Sequence, residues 1–391
     1  MPHRRKLPGL DGLRALAALA VFVDHAEQTQ EWVGREHFDG NQMTSLGRQG
    51  VEMFFVLSGF LITLLLLEER ARSPATGQVS LGRFYARRTL RIWPLYYLVV
   101  FVLWVVLPWA VRFAPPQIHD LCEVHTRTMG APGDPRLPLY LFFLANVSFW
   151  LYPHVLCGAH LWSLGVEEQF YAVWPVIFRW VRRPLAVFGA LVALKVGLHM
   201  AVEYDHPIVS WLLSEHQIFL LLELSKMCHY EAMAVGAAAA YLAFHHRERV
   251  RRVADAWWTR ALVAPLLYGC VWLAGWNQGF HGIDPITEVP QLGYAAVVLL
   301  VSQRSAPSRV LDARPLAWLG ERSYGFYMVH TFLMVLAMAL LERAGVHGDG
   351  ALLHAVFYAL SFAIAAGVAA LSYRYVEGPL LRLKDRRFSA A

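Results

Sequence analysis

Runs of about twenty apolar residues, the length that crosses the hydrocarbon core of a bilayer, recur along this chain and constrain it more than any other feature. Ten are read, at roughly residues 8–27, 48–67, 92–111, 162–178, 184–202, 228–244, 258–276, 288–303, 318–341 and 351–373. Inside hydrocarbon every backbone N–H and C=O must be satisfied within its own segment, so each run is expected as a helix. Composition points the same way. Of the 391 residues 57% are hydrophobic and 16% charged, against about 45–50% and 25% in soluble domains. The expectation is an all-α polytopic membrane protein. Leu137 to Tyr152 follows Pro135 and is expected to be re-entrant or interfacial. Ile208 to Leu224 carries Glu215 and His216 and is expected at the outer interface.

Basic residues orient the spans. With both termini cytoplasmic, the inner segments hold 25 Lys and Arg and the outer loops 6, the asymmetry that membrane insertion imposes. The same retention of basic residues explains the net charge of +6 without a nucleic-acid partner. The N-terminal MPHRRK before an apolar run imitates a signal peptide. Arg14, Asp24 and His25 interrupt that run, so it is read as a retained helix. No composition shift divides the chain. One transmembrane domain is expected over about 8–376, followed by a short basic cytoplasmic tail, 377–391. Cys122 and Cys157 share the outer loop 112–161. In an oxidising compartment they would pair, or they stay as two thiols. No Cys/His spacing suits a metal.

Polar groups inside spans are costly and therefore point to a site. In the first run Arg14 and His25 are eleven residues apart. A helix brings them within about 20° of one face and about 16 Å apart along its axis; Asp24 stands beside His25. In 84–97, FYARRTLRIWPLYY, Arg88 and Arg91 share a helical face at the inner surface. Paired guanidiniums grip phosphates, or they simply anchor to anionic lipid. In 160–175, HLWSLGVEEQFYAVWP, the carboxylates Glu167 and Glu168 enter an apolar span alongside Trp162 and Ser163. In 319–331, LGERSYGFYMVHT, His330 lies deep in a span. The lipase elbow, the HExxH metalloprotease motif and the phosphate-binding P-loop are all missing from the chain.

Taken in order, these stretches resemble the acyltransferase-3 family of integral membrane O-acyltransferases. GLDGLRALAALAVFVDHA carries the family's Arg-x10-His pattern at Arg14 and His25. GVEMFFVLSGFLIT, FYARRTLRIWPLYY, HLWSLGVEEQFYAVWP, LGERSYGFYMVH and SYRYVEGPLL follow as later blocks, so the resemblance runs from Leu7 to Pro379. It implies transfer of an acyl group, most often acetyl, from cytoplasmic acyl-CoA as co-substrate to a hydroxyl. The acceptor it implies is a sugar of a surface polysaccharide or glycolipid, at the bacterial inner membrane and without a metal. Many relatives carry an extracytoplasmic hydrolase-like domain after the membrane part, and none is read in this sequence.

Under that resemblance a general base must accept the acceptor's proton, and neutral His25 takes the role. Glu167 or Glu168 is the expected orienting partner, with Asp24 a weaker one. Arg88 and Arg91 are expected to hold the nucleotide phosphates and Arg14 the pantetheine or a phosphate. Trp162, Ser163 and His330 are expected to line the tunnel. Two alternatives stay open at this point. One is acylation of a small metabolite such as a macrolide. The other is a transporter or flippase, which also needs charges within the membrane.

Overall fold

The computed structural model describes residues 7–35, 37, 41–72, 78–126, 133–181, 183–203, 213–214, 217–218, 228–276, 289–303, 306–346, 348 and 350–388. In chain order the helices are α1 (Leu10–Trp32), α2 (Asn41–Arg72), α3 (Leu81–Phe101), α4 (Leu107–Ala110), α5 (Pro116–Thr126), α6 (Arg136–Leu141), α7 (Ala145–Leu151), α8 (Trp162–Trp180) and α9 (Pro184–Glu203). They continue as α10 (Tyr230–His245), α11 (Arg247–Asp255), α12 (Trp257–Trp276), α13 (Val289–Val301), α14 (Ala306–Leu311), α15 (Arg314–Glu321), α16 (Ser323–Arg343), α17 (Ala351–Ser372) and α18 (Gly378–Arg387).

Among the described residues, four helices are long and apolar enough to cross a membrane: Ser45–Arg72, Leu81–Phe113, Ser323–Arg343 and Ala351–Arg387. The fold is thus all-helical where it is described, with four candidate membrane spans. The first and fourth expected spans are helical too, as α1 and α8, but Asp11, Arg14, Asp24 and His25, or Glu167 and Glu168, interrupt their apolar character. Leu137 to Tyr152 forms α6 and α7, six and seven residues long. The turn between them passes through Phe143 in the left-handed region, φ 58°, so the segment is too broken to span. Most of Ile208 to Leu224 lies outside the described residues.

The chain divides into two compact units, and α1 and α8 contribute residues to both. The first comprises 1–17, 40–79 and 170–320. Its core pairing is α2 with α10, and small residues allow it. A Cβ on Gly59 would come within 2.0 Å of the Met233 carbonyl, and one on Gly236 within 2.1 Å of that of Val56. The two backbones therefore touch, the close approach that small residues permit between membrane helices. Polar groups of α2 also pair with its neighbours. His229 caps α10 in a left-handed conformation, φ 39°, with Nδ1 2.7 Å from Glu52 Oε1. Tyr294 donates to Gln49 Oε1 at 2.8 Å, and Trp174 Nε1 to Thr63 Oγ1 at 2.8 Å.

The second unit comprises 18–39, 80–169 and 321–391, and it holds the histidines. Its apolar centre is Phe22 of α1, against Phe326 of α16 and Tyr358 and Phe362 of α17. A buried polar clasp ties α1 to α17: Glu27 accepts from His354 Nε2 at 2.9 Å and from the Tyr358 hydroxyl. Glu27 is two residues beyond His25, about 200° around the helix. The clasp therefore fixes one face of α1 and turns the His25 face the other way. The start of α8 is seated on the α6–α7 turn. Gly165 leaves room for the Phe143 carbonyl, which a Cβ there would meet at 2.9 Å. Gln169 Nε2 donates to that carbonyl at 3.1 Å and to Asn146 Oδ1 at 2.8 Å.

Candidate active site

Three imidazoles converge in the second unit, from α1, from α16 and from the 3-10 turn Ala159–Leu161 that leads into α8. Ring centroids are 5.0 Å apart for His25 and His330, 5.2 Å for His160 and His330, and 6.0 Å for His25 and His160. The sequence places these residues up to 305 positions apart, so only tertiary packing gathers them.

Hydrogen bonding sets the tautomers. His330 Nδ1 lies 2.7 Å from the carbonyl of Tyr327, one turn earlier on α16. A carbonyl only accepts, so Nδ1 carries the proton and Nε2 of the neutral ring is a lone pair. His25 Nδ1 lies 2.7 Å from that Nε2 and must therefore donate to it. This leaves His25 Nε2 as an uncommitted lone pair. His330 and His160 are 1% and 3% exposed, while His25 is only partly buried. The ring left open to a substrate is thus the one with a basic nitrogen to offer.

His160 completes the cluster. Its Nδ1 is 3.5 Å from Thr331 Oγ1, whose own proton is spent on the Cys157 carbonyl at 2.9 Å. Burial, with His25 close by, pushes the His160 imidazole down to about 3, against smaller opposing contributions from the Met328 and Tyr327 carbonyls. The ring is neutral at any physiological pH. Tyr327 and Ser163 hold the turn: the Tyr327 hydroxyl donates to the His160 carbonyl at 2.9 Å and lies 2.7 Å from Ser163 Oγ. Cys157 takes a left-handed φ of 57°, and its thiol donates to the Thr331 carbonyl at 3.8 Å. Cys122 and Cys157 are both buried thiols rather than a disulfide.

A line of polar side chains runs back from the histidines along α16, α8 and α3. Tyr324 donates to the Ile92 carbonyl at 2.7 Å, and Glu167 and Glu168 bear on it electrostatically. Glu168 Oε2 accepts from Trp93 Nε1 at 2.9 Å, while its Oε1 is buried without a hydrogen-bond partner. Arg88 acts on Glu168, and Arg91 with Arg322 acts on Glu377. Both Arg88 and Arg91 are half-buried on α3. Glu377 also accepts from Ser372 Oγ at 3.0 Å across the π-helical turn Tyr373–Glu377.

The remaining expected residues fall as follows. Arg14 belongs to the first unit, on the same continuous α1 as His25, and pairs with Asp11 at 3.3 Å. Asp24 is buried and accepts from Gln28 Nε2 at 3.0 Å, so its described partner is on its own helix. Trp162 is half-buried, its ring 6.4 Å from that of Phe149. Among the described residues, no three His, Cys, Asp or Glu side chains are arranged to hold a metal ion.

A family model described as an acyltransferase domain matches residues 7–374, a range that contains the three histidines, Glu167, Glu168, Arg14, Arg88 and Arg91. The chain belongs to the acyltransferase-3 family. YrhL of Bacillus subtilis, named provisionally as a peptidoglycan O-acetyltransferase, is 29% identical over 99% of this chain and 57% of its own length. The peptidoglycan O-acetyltransferase OatA of Listeria monocytogenes is 27% identical over 96% of this chain and 56% of its own. The O-acetyltransferase OatA of Staphylococcus aureus is 25% identical over 98% and 59%. The chain thus spans less than two thirds of the length of these relatives. No solved structure matches it significantly.

Sequence reading placed His330 among tunnel-lining residues and gave His160 no role. The local signal was present, since each is a histidine in or beside an apolar run, but neither ring's partner can be read from helix periodicity. The partner described for His25 is another histidine, where a carboxylate was expected.

Proposed function

We propose that this acyltransferase moves an acetyl group from cytoplasmic acetyl-CoA to a hydroxyl of a cell-wall polysaccharide, the chemistry for which its relatives are named. The observation that carries the reading is the His25–His330 pair at 2.7 Å, with its tautomer fixed from the Tyr327 carbonyl. The acceptor hydroxyl gives its proton to His25 Nε2 as its oxygen attacks the thioester carbonyl. The new C–O bond makes a tetrahedral intermediate; its collapse breaks the C–S bond, and the leaving CoA sulfur takes the proton back from the imidazolium. His330 touches no reacting atom. It holds the His25 ring and shares the charge that develops there, much as an orienting carboxylate would.

Arg88 and Arg91 suit the CoA phosphates, which guanidiniums bind bidentately. Arg14, on the His25 face of α1, suits the pantetheine end or a phosphate. Glu168 Oε1, buried without a hydrogen-bond partner, suits a pantetheine amide N–H, and Glu167, Trp162 and Ser163 are proposed to line the path. The test is turnover of acetyl-CoA by the purified protein in lipid, with peptidoglycan fragments as acceptor. Acceptor-dependent CoA release is expected in wild type and absent in His25→Ala. Wild type that binds no acetyl-CoA, or moves the acceptor across the bilayer without consuming it, would sink the reading in favour of a transporter.

A further inference from the structure

His160 Nε2 is a buried ring nitrogen with no hydrogen-bond partner in the protein. Its sister Nδ1 faces Thr331 Oγ1 at 3.5 Å, and that hydroxyl, having donated elsewhere, can only accept. Nδ1 therefore holds the proton and Nε2 presents a lone pair. A buried acceptor left unmade is costly, and such groups in native folds call for an explanation. The ring is held in place rather than loose: its carbonyl takes the Tyr327 and Ser163 hydroxyls at 2.9 and 3.1 Å. Its centroid lies 6.0 Å from that of His25. Two imidazoles with a free lone pair thus stand in one cluster, and the proposed reaction uses only one of them.

We infer that His160 Nε2 binds a second hydrogen-bond donor of the acceptor, a hydroxyl or amide N–H close to the hydroxyl that reacts at His25. The acceptor is then a polyfunctional sugar rather than a simple alcohol. This inference rests on the acyl-transfer reading of the same histidine cluster. A ligand with a single donor leaves one lone pair orphaned. One with two satisfies both, and sites built this way discriminate against analogues that lack a partner group. His160 acts in this scheme on acceptor binding and orientation, with no part in proton transfer.

The experiment measures equilibrium binding of a soluble disaccharide fragment of peptidoglycan to the full chain in lipid nanodiscs, for wild type, His160→Phe and His160→Gln. Phe keeps a flat ring and deletes the lone pair; Gln keeps an acceptor. About tenfold weaker binding in His160→Phe, largely recovered in His160→Gln, is the expected result. With acetyl-CoA added, His160→Phe is expected to raise KM for the fragment about tenfold, with KM for acetyl-CoA and kcat within about threefold. Unchanged fragment binding in His160→Phe overturns the inference, as does a rise confined to the KM for acetyl-CoA, which would assign the lone pair to a pantetheine amide. Wild type that fails to bind the fragment also overturns it. Wild type that binds the fragment but turns over no acetyl-CoA would sink the reaction proposed above and leave the binding comparison standing.

Discussion

At the scale of single residues, the tautomer of His25 decides the chemistry. A lone histidine in a span is ordinarily a satisfied structural group. Here the Tyr327 carbonyl and His330 between them force the proton onto Nδ1 and free Nε2. His25→Ala is expected to lower acetyl transfer by at least about 10²-fold, the low end of what a positioned base contributes, while acetyl-CoA binding persists by calorimetry. His330→Ala leaves the ring in place without its acceptor, and a loss of about 10- to 100-fold in kcat is expected. In His330→Gln a side-chain carbonyl can accept from His25 Nδ1, so activity between the two is expected in the same turnover assay. Equal loss in both His330 variants would show that position 330 only packs.

At the scale of elements, each unit has a junction that carries its packing. The α2–α10 crossing tolerates no side chain at Gly59 or Gly236, where the facing atoms are backbone carbonyls. Gly59→Leu must push the helices apart at a cost above the about 1–3 kcal/mol of ordinary overpacking, and a lower unfolding temperature in detergent is the expected reading. The α6 junction rests on Asp134. It accepts from Arg136 N, Nε and Nη2 at 2.9–3.0 Å and from Trp104 Nε1 at 3.2 Å. Burial alone would raise the Asp134 carboxyl, but these donors and the Arg136 charge hold it below its ordinary value. A lowered folded value means that the carboxylate stabilises the fold above the unfolded value, about pH 4, and that this is lost as pH falls through the lower folded one. Asp134→Ala is expected to cost about 3–5 kcal/mol at neutral pH, because it removes the carboxylate paired with the buried Arg136. Chemical unfolding of the two proteins at pH 7 and below pH 4 should show the gap shrinking in acid.

At the scale of the whole molecule, the polar line on α3, α8 and α16 ends in Arg88 and Arg91 on one side and in the histidines on the other. Replacing both arginines by Ala is expected to abolish acetyl-CoA binding while the protein stays folded by its thermal transition. Retained binding would reassign the pair to lipid anchoring. If both termini face the cytoplasm, cysteines introduced in the N-terminal segment and in the tail should resist a membrane-impermeant thiol reagent in intact cells. The sequence determined the class of the molecule, because backbone hydrogen bonding in hydrocarbon admits helices of bilayer length and little else. It also marked the polar residues, because an ionisable group in an apolar run is conspicuous by its cost. The tertiary structure decided the partners. Helical period fixes which face His25 occupies but carries no information on which helix comes to lie against that face. His330 and His160, 305 and 135 positions away, reach it through the clasp of Glu27 on His354 and Tyr358 and the seating of α8 on the α6–α7 turn. For the same reason the carboxylates at 167 and 168, conspicuous in sequence, turned out to bear on Tyr324, while the lone pair of His160 could be seen only once its neighbours were in place.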